Sequence, residues 1–228
     1  MLKNKKAYVN IESIKKYREV CMKNNIYISQ ASLKRLPKYL RILKGMKDAG
    51  IEYISSTAIA SELNLNSIQV RKDISIVSKT DGKPGIGFNI DKLILDMEDF
   101  LNLNNVTDAI IVGAGKLGQA LIQYKGFSQS INILMSFDND KSKCDNKKIF
   151  YIDKMEDLIS RMNIHIGIIT VPKESAQEVC NKMIKSGIKA IWNFAPINLK
   201  VPENIIIKNE DLTASLLILL KNLKEKGV

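Results

Sequence analysis

Three glycines stand at the spacing of a dinucleotide-binding turn. Gly113, Gly115 and Gly118 follow a strand-like apolar run and precede a helical pattern. At this spacing the first glycine allows a tight turn, the second lets the backbone approach a pyrophosphate, and the third lets the helix pack against the strand. The start of the helix would direct its N–H groups toward that anion. The other turn residues that we assign to cofactor binding are Ala114, Lys116 and Leu117.

A carboxylate follows where such a site requires one. A second apolar run, 131–137, ends in Asp138, which lies 20 positions after Gly118. An acid at this distance accepts hydrogen bonds from the adenosine ribose and disfavours a 2′-phosphate, so it selects NAD over NADP. Because glycine-rich turns are common, the alternative is a tight turn with a purely structural role. We predict an NADH/NAD+ site built on the glycine turn and Asp138.

The strand ends that would face the nicotinamide carry no acid or base. Further strands, separated by helical patterns, are predicted at 148–151, 164–170, 189–192 and 204–207. Ligand groups come from the carboxyl ends of such strands, and the cofactor-binding residues predicted there are Thr170, Val171, Pro172, Asn193 and Phe194. Hydride transfer needs a proton donor or acceptor beside the nicotinamide, whereas His165 lies inside an alternating strand pattern. The sequence therefore predicts no catalytic residue and favours a nucleotide sensor over an enzyme.

A redox sensor must distinguish two nearly identical ligands by their charge. Oxidised nicotinamide carries a positive charge on its ring and reduced nicotinamide does not. Burial without a counter-ion disfavours the charged form, so an enclosed pocket with apolar and aromatic walls would prefer NADH. Tyr124 and Phe194 are our candidates for those walls. The alternative is that both are core residues.

The basic residues are concentrated in the first part of the chain. Residues 1–85 hold 17 of the 35 lysines and arginines but only 7 of the 24 acidic residues, so this part carries nearly all of the net charge of +11. Such a segment indicates a polyanionic partner, either nucleic acid or an acidic membrane surface. A solvated lysine-rich face is the alternative.

The remaining composition argues against several other classes of protein. The three cysteines have neither a disulfide pattern nor the spacing of a zinc site. This usage fits a reducing, cytoplasmic environment, and we predict no metal site. The longest apolar run near the C-terminus, 216–220, is far too short to cross a bilayer. We expect no targeting segment and no membrane partner.

Two short helices in the basic part are typical of a helix-turn-helix. A longer helix precedes them from Ser32 to 48–50, with Pro37 either kinking it or marking its first turn. Asn66 caps the second short helix, with Gln69 as the partner of a capping box. The first half of such a recognition helix meets base edges in the major groove. Its outward residues, predicted to contact DNA, are Gln69, Arg71, Lys72 and Ser75. The alternative is an ordinary three-helix bundle with a basic surface.

A basic hairpin follows the recognition helix directly. Asp81-Gly82 and Pro84-Gly85 are turn signals, so we interpret residues 79–88 as a wing. Lys79 and Lys83 would contact phosphates, which fixes the register on DNA without reading its sequence. Asn89 or Asp91 can then cap a linking helix that leads into the glycine-turn strand.

The C-terminal segment predicts an amphipathic helix that needs a partner surface. Its apolar stripe consists of Leu212, Leu216, Leu219 and Leu223. Packing against the chain's own sheet is one alternative, and packing against a second protomer is the other.

Nine short segments resemble, in order, the family of the redox-sensing transcriptional repressor Rex. They are Arg35-Leu-Pro-Lys-Tyr-Leu-Arg41, Ser55-Ser56, Gln69-Val-Arg-Lys-Asp73, Gly85-Ile-Gly-Phe88, Val112-Gly-Ala-Gly-Lys-Leu-Gly118, Tyr124-Lys-Gly-Phe127, Val171-Pro172, Ala176-Gln177 and Asn193-Phe-Ala-Pro196. The resemblance extends from about Gln30 to near the C-terminus. Two departures are the extension at 1–28 and the sequence 76–81, which bears on the finer operator preference.

The resemblance implies an α/β protein with three parts: an N-terminal winged helix-turn-helix domain, a Rossmann dinucleotide-binding domain and a C-terminal helix swapped between protomers. We place an N-terminal extension at 1–28, the winged-helix domain at 29–90, the Rossmann domain with its linking helix at 91–208, and the dimerisation helix at 209–228. The implied function is a homodimeric repressor that binds double-stranded operator DNA and releases it when NADH binds.

The resemblance also implies roles for single residues. Tyr124 matches the tyrosine near the nicotinamide, and Leu212 matches the residue that the partner subunit lays over it. Ser56 joins the DNA-binding set through the matching Ser55-Ser56 pair. Arg41 and Asp211 match an ion pair that links the DNA-binding region to the swapped helix, and they form the predicted interdomain switch.

Two other functions stay open on the residues alone. A small NAD-dependent oxidoreductase with a basic N-terminal appendage would have the same glycine turn, although the missing acid or base counts against it. A nucleic-acid-associated protein could instead use the dinucleotide fold only as structure.

Overall fold

The computed structural model describes residues 28–127 and 130–225, and the extension predicted at 1–28 lies outside the described residues except for Ile28. The described chain divides into two compact units, on either side of the peptide between Asn105 and Val106. Each unit has a hydrophobic core of its own.

The described residues of the first unit form helices and a small antiparallel sheet. In chain order the elements are α1 (Gln30–Asp48), β1 (Tyr53–Ile54), α2 (Ser56–Leu63), α3 (Ser67–Val77), β2 (Phe88–Asn89) and α4 (Ile90–Phe100). Between α2 and α3 the chain turns tightly at Asn64, whose backbone is left-handed at φ 52°. Strand β1 pairs with β2, and the loop between α3 and β2 forms the wing. The winged helix-turn-helix prediction is confirmed.

Side-chain caps fix where these helices begin. Ser55, Asn66 and Asn89 accept backbone N–H groups at the starts of α2, α3 and α4, as the cap residues predict. Helix α1 begins earlier than predicted, because Ser29 accepts the N–H of Ser32. The helix then continues through Pro37, which excludes Pro37 as a residue of its first turn.

The linking helix α4 belongs to the first unit, which differs from the predicted boundary at 90/91. Leu93, Ile94 and Met97 of α4 are buried in the core that α1, α2 and α3 share. The periodicity of α4 predicts an apolar face, but it does not predict which of the two hydrophobic cores that face packs against. The structure therefore moves the boundary between the two units to Asn105/Val106.

The second unit is a parallel sheet with helical crossovers. In chain order its elements are β3 (Thr107–Val112), α5 (Lys116–Ile122), β4 (Ile131–Asp138), β5 (Ile149–Tyr151), α6 (Met155–Met162), β6 (Ile166–Ile169), α7 (Lys173–Lys185), β7 (Ala190–Asn193), β8 (Ile206–Asn209) and α8 (Leu212–Glu225). The strand order is β5-β4-β3-β6-β7-β8, and every pairing is parallel. The Rossmann prediction is confirmed, with β8 two residues later than expected.

The order of the strands reverses between β3 and β6. Residues Ala109–Val112 of β3 are buried on both faces of the sheet, as expected for a central parallel strand. Ligands bind at the carboxyl ends of strands beside such a reversal. The glycine turn follows β3 directly, so the fold places it at this point.

Helix α8 presents its apolar stripe to solvent in the single chain. Every residue from Leu212 to Glu225 is exposed, including Leu216, Leu219 and Leu223. Packing of α8 on its own sheet, which was one of the two alternatives, is therefore excluded for this chain.

Candidate nucleotide-binding cleft and nucleic-acid interface

The three glycines of the turn differ in what a side chain at each position would meet. Gly113 has φ +106°, and a Cβ there would lie 2.8 Å from Oγ1 of Thr170. At Gly118 a Cβ would collide with the carbonyl oxygen of Gly113. Gly115 has an ordinary backbone, with φ −74°, and a Cβ there would meet no atom within 4 Å. Gly113 and Gly118 are therefore required by the packing of the turn, whereas Gly115 borders open space in the cleft.

Asp138 is joined to the glycine turn by hydrogen bonds. Its Oδ2 accepts the N–H of Ala114 at 2.8 Å, and its Oδ1 accepts the N–H of Asp140 at 2.9 Å. The Nζ of Lys143 lies 3.5 Å from Oδ2. These contacts hold the buried carboxylate of Asp138 in a fixed position beside the glycine turn. Its contact with a ribose stays a prediction. Sequence reasoning missed Lys143, which the spacing of glycines and acid does not signal.

A cleft of about 640 Å³ opens at these strand ends. The predicted residues that line it are Gly113, Gly115, Leu117, Asp138, Thr170, Val171, Pro172 and Phe194. Ala114 is buried behind the turn, and Lys116 and Gly118 belong to α5 outside the lining. The hydroxyl of Thr170 donates to the carbonyl of Gly113 at 2.9 Å, so it holds the turn in place.

Besides Asp138 and Lys143, two charged side chains that line the cleft come from α7. Glu178 and Lys182 lie four residues apart on α7, and Nζ of Lys182 is 3.2 Å from Oε1 of Glu178. The two groups neutralise each other as an ion pair. Sequence reasoning missed both, because their helical spacing resembles any surface pair.

The side chain of Asn193 does not line the cleft and is used within the protein. Its side chain is 0% exposed, and its Nδ2 donates to the carbonyl of Ile197 at 2.8 Å and to Oδ1 of Asn209 at 2.9 Å. Its Oδ1 accepts the N–H of Ala195 at 3.0 Å. Asn193 therefore holds the loop that carries Phe194, and this loop brings Phe194 to the cleft.

Aromatic rings continue from the cleft to the surface. The ring centroids of Phe194 and Trp192 are 4.7 Å apart, those of Trp192 and Phe127 are 5.4 Å apart, and those of Phe127 and Tyr124 are 4.8 Å apart. Tyr124 is 58% exposed and does not line the cleft of its own chain. It is therefore not a core residue, and its contact with a nicotinamide stays a prediction. Nε1 of Trp192 donates to Oε1 of Glu210 at 3.1 Å. Phe127 and Trp192 were not predicted, since their ring contact joins residues that are far apart in the sequence and leaves no local pattern.

Leu212 and Asp211 lie at the start of α8. Oδ1 of Asp211 accepts the N–H of Ala214 at 2.8 Å and caps the helix. Leu212 is exposed and does not line the cleft of its own chain. Arg41 is exposed on α1, in the other unit, and its pairing with Asp211 stays a prediction.

Helix α3 presents a polar and cationic face. Val70, Ile74 and Val77 are buried, as the periodicity predicts, and the opposite side is exposed. Exposed there are the predicted DNA-binding residues Gln69, Arg71, Lys72 and Ser75. Ser75 Oγ donates to the carbonyl of Lys72 at 2.8 Å, so this hydroxyl already has an acceptor within its own helix.

A buried carboxylate anchors α3 to α1. Asp73 is 1% exposed and accepts two hydrogen bonds from Arg35, at 2.7 and 3.1 Å. Tyr39 donates to it at 2.8 Å and Gln69 at 3.2 Å. The Gln69 side chain thus serves Asp73 rather than the backbone of Asn66, so only the Asn66 half of the predicted capping box exists. The spacing of Arg35 and Tyr39 on one helix face was the available signal for this cluster.

The cluster shifts the pKa values of its members. Burial tends to raise the pKa of Asp73, but the hydrogen bonds from Arg35 and Tyr39 outweigh it and hold that pKa below its usual value. Burial, together with the hydrogen bond to Asp73, raises the pKa of Tyr39 to about 12. The hydrogen bond to Asp73 raises the pKa of Arg35 as well. The ion pair is therefore fully charged at neutral pH.

The predicted wing residues have different surroundings. Lys83 pairs with Gly87 across the loop, and its Nζ lies 5.4 Å from the centre of the Tyr53 ring. Nζ of Lys79 is 2.5 Å from Oδ2 of Asp99, so this cation already has a counter-ion. Ser56 is only 4% exposed. The two wing lysines therefore differ in their partners, and the Ser56 side chain is largely buried. Contacts of these three residues with DNA stay a prediction.

Two features are absent from the part of the chain that the structure describes. Within residues 28–127 and 130–225, no three His, Cys, Asp or Glu side chains lie close enough together to hold a metal ion. Over the same ranges, no helix combines the length and the apolar character needed to span a bilayer.

Known proteins resemble this chain over most of its length. Residues 27–75 match the family model for a putative DNA-binding protein N-terminus, and residues 104–197 match the CoA binding domain. The redox-sensing transcriptional repressor Rex of Treponema denticola is 42% identical over 188 residues, covering 80% of this chain and 89% of the relative. The Rex of Carboxydothermus hydrogenoformans is 39% identical over 202 residues, covering 86% and 97%.

Solved structures of a Rex-family repressor are also similar to this chain. The crystal structure of RSP in complex with beta-NAD+ and operator DNA has a TM-score of 0.82 at 33% identity, covering 88% of this chain and 94% of RSP. RSP in complex with beta-NADH has a TM-score of 0.79 at 33% identity, covering 88% and 96%. RSP is described as a Rex-family repressor. With relatives this similar over this much of their length, the chain belongs to the Rex family of redox-sensing transcriptional repressors.

Proposed function

We propose that this protein is a transcriptional repressor that binds operator DNA through α3 and the wing, and that releases the DNA when NADH occupies the cleft. The observation that carries this proposal is the combination within one chain. A helix-turn-helix exposes Arg71 and Lys72 on its recognition helix, and a dinucleotide cleft is built on the glycine turn and Asp138. Family membership supports the same conclusion.

The ligand we propose for the cleft is NADH, with NAD+ as the competing form. Asp138 at the ribose end disfavours a 2′-phosphate. The walls include Val171, Pro172 and Phe194, which are apolar and offer no counter-ion to an oxidised nicotinamide. Because a buried charge without a partner is costly, this wall favours the reduced, uncharged ring. RSP structures with beta-NADH and with beta-NAD+ support both ligands.

The active form we propose is a homodimer that exchanges α8. The exposed stripe of Leu216, Leu219 and Leu223 would be covered by the partner subunit, which would bring Leu212 over the partner's nicotinamide. Arg41 and Asp211 would then form the ion pair between the two regions. A dimer suits operators with two half-sites a helical turn or a multiple apart. We expect it to act in the cytoplasm, where chromosomal DNA and the nicotinamide pool are both found.

NADH needs only a different affinity for two arrangements of the dimer in order to act. If the closed arrangement binds NADH better and holds the two α3 helices away from half-site spacing, NADH binding weakens DNA binding by the same factor by which DNA weakens NADH binding. The proposal therefore requires reciprocal coupling between the two ligands.

The test uses a duplex that the chain itself selects from a random-sequence library. Fluorescence anisotropy then measures the affinity for this duplex at increasing ratios of NADH to NAD+. Arg71→Ala is expected to abolish duplex binding while leaving NADH affinity unchanged. Asp138→Ala is expected to abolish NADH binding while leaving the affinity for the duplex unchanged. Asp138→Asn, which keeps an acceptor for the Ala114 N–H, checks that the fold is intact. A duplex complex that persists at saturating NADH would overturn the proposal.

The oxidoreductase alternative has little support in the structure. The chain after β6 and β7 supplies threonine, valine, proline and phenylalanine to the cleft. Asp138, at the end of β4, accepts the backbone N–H groups of Ala114 and Asp140, and Glu178 is paired with Lys182. Its test is a substrate-dependent change in the absorbance of the nicotinamide, which we expect not to occur. A fluorescence titration with NADH tests the remaining alternative, in which the dinucleotide fold is only structural.

A further inference from the structure

An apolar side chain stands on the cationic face of the recognition helix. Ile68, in the first turn of α3, is 65% exposed. Among the described residues up to Asn105, it is more exposed than the other large apolar side chains at the surface, which are Ile51, Ile86 and Leu95. A β-branched residue is also less favourable in a helix than alanine. Neither packing nor helix propensity accounts for isoleucine at this position.

Helical geometry places Ile68 in line with the predicted DNA contacts. Residues three, four and seven positions apart share a helix face, so Ile68 continues the exposed row of Arg71, Lys72 and Ser75. The backbone at Ile68 is fixed, because its N–H donates to Oδ1 of the cap residue Asn66 at 2.8 Å. A side chain in the first turn of a recognition helix is among those that meet base edges.

Gln69, two residues before Arg71 in α3, is only partly available for base contacts. The Nε2 group of Gln69 donates to Oδ1 of Asp73 at 3.2 Å, and Asp73 is fixed by Arg35. This leaves Ile68 and Arg71 as the side chains of the first turn and a half that face outward without such a tether to Asp73. Their chemistries differ, because arginine reads hydrogen-bond acceptors and isoleucine cannot.

We propose that Ile68 is a specificity-determining residue that packs against the C5-methyl group of a thymine in the major groove. The C5-methyl group of thymine is the one methyl group that the standard base pairs present there, whereas the groups that arginine or glutamine reads are hydrogen-bond donors and acceptors. The charge of the surrounding face fits DNA rather than a protein partner, since an apolar docking patch would need several adjacent apolar side chains. The inference rests on the proposed binding of operator DNA.

The experiment removes the methyl group from the DNA and the side chain from the protein. Duplexes are first selected from a random-sequence library by the full-length chain, and each thymine that selection fixes within a half-site is replaced by deoxyuridine. At one such thymine we expect the wild-type affinity to fall by about four-fold, which corresponds to one methyl group removed from a buried contact. Ile68→Ala is expected to lose the same factor on the thymine duplex and nothing further on the deoxyuridine duplex.

Leu95→Ala is the matched control, because Leu95 on α4 is exposed to nearly the same extent as Ile68 and lies outside both α3 and the wing. This variant should respond to deoxyuridine as the wild-type protein does. If no fixed thymine is sensitive to the replacement, or if Ile68→Ala keeps the full sensitivity, the inference is overturned. Release of the thymine duplex by NADH, measured in the same titrations, tests the proposed function separately. If NADH did not release the thymine duplex while the replacement by deoxyuridine still lowered the affinity, only the proposed function would be overturned, and the role of Ile68 would stand.

Discussion

Replacing Gly115 by alanine separates ligand binding from folding at the nucleotide turn. Its φ of −74° and ψ of −172° suit alanine, and the added methyl group meets no protein atom within 4 Å. The loss of chain entropy in the unfolded state stabilises such a variant by about 0.4–1 kcal/mol, while glycine is the better residue at a helix N-cap. These effects oppose each other, so we expect the free energy of unfolding to change by less than about 1 kcal/mol.

The same methyl group would occupy the space into which the pyrophosphate must come. A hydrogen bond between a backbone N–H and a charged oxygen contributes about 1.5–3 kcal/mol. The loss of one such bond at Gly115 lowers NADH affinity by about 10- to 150-fold. Fluorescence titration with NADH measures this loss, and differential scanning calorimetry measures the stability of the same sample.

Gly118→Ala is the matched control for this experiment. Its Cβ would collide with the carbonyl oxygen of Gly113, so it should destabilise the second unit visibly in the calorimetric trace. The two substitutions add the same methyl group three residues apart, yet one should affect binding and the other folding. A Gly115→Ala protein that binds NADH as tightly as the wild type would refute the assignment of this space to the pyrophosphate.

Three further predictions concern other parts of the molecule. Asp73→Ala removes the counter-ion of the partly exposed Arg35 and leaves the buried hydroxyl of Tyr39 without its acceptor, and it should cost about 2–4 kcal/mol in urea unfolding of the first unit. Lys79→Ala, at an exposed ion pair, should have a far smaller effect. Because the pKa of Asp73 is lowered in the folded state, its stabilisation is complete above about pH 4 and is lost as the pH falls through the folded pKa. The urea midpoint of the wild type should therefore drop on acidification more than that of Asp73→Asn. Asn193→Ala should destabilise the second unit by about 1–3 kcal/mol and weaken NADH binding, although its side chain does not line the cleft, and calorimetry with NADH titration would show both. Leu216→Glu combined with Leu219→Glu should yield a monomer in sedimentation velocity that still binds NADH, and a persistent dimer would contradict the role of α8.

The parts of the site that could be predicted from the sequence are those defined by short spacing. The glycine turn works through residues within six positions of one another, and Asp138 follows at the length of one strand-helix-strand unit. The caps Ser55 and Asn66 likewise act on N–H groups two or three residues away. Such local rules hold in any fold that accommodates them.

The parts that could not be predicted depend on partners far along the chain. Asn193 was expected to face the cofactor because it ends a strand, but its amide is used by Asn209 across the sheet. The side chain of Gln69 was expected to face DNA, yet it donates to Asp73, whose charge is compensated by Arg35 on another helix. Helical periodicity correctly marked the apolar face of α4 but contained no information about which of two cores would cover it.

The ring contact between Trp192 and Phe194 gives the protein an intrinsic optical probe. Trp192 is the one tryptophan in the chain, and Phe194 beside it lines the cleft. Indole emission overlaps the absorption of reduced nicotinamide but not of the oxidised form. Excitation of Trp192 should therefore transfer energy to bound NADH, whereas bound NAD+ should accept none. The nicotinamide emission on tryptophan excitation then reports the fraction of protein that holds NADH, without any attached label.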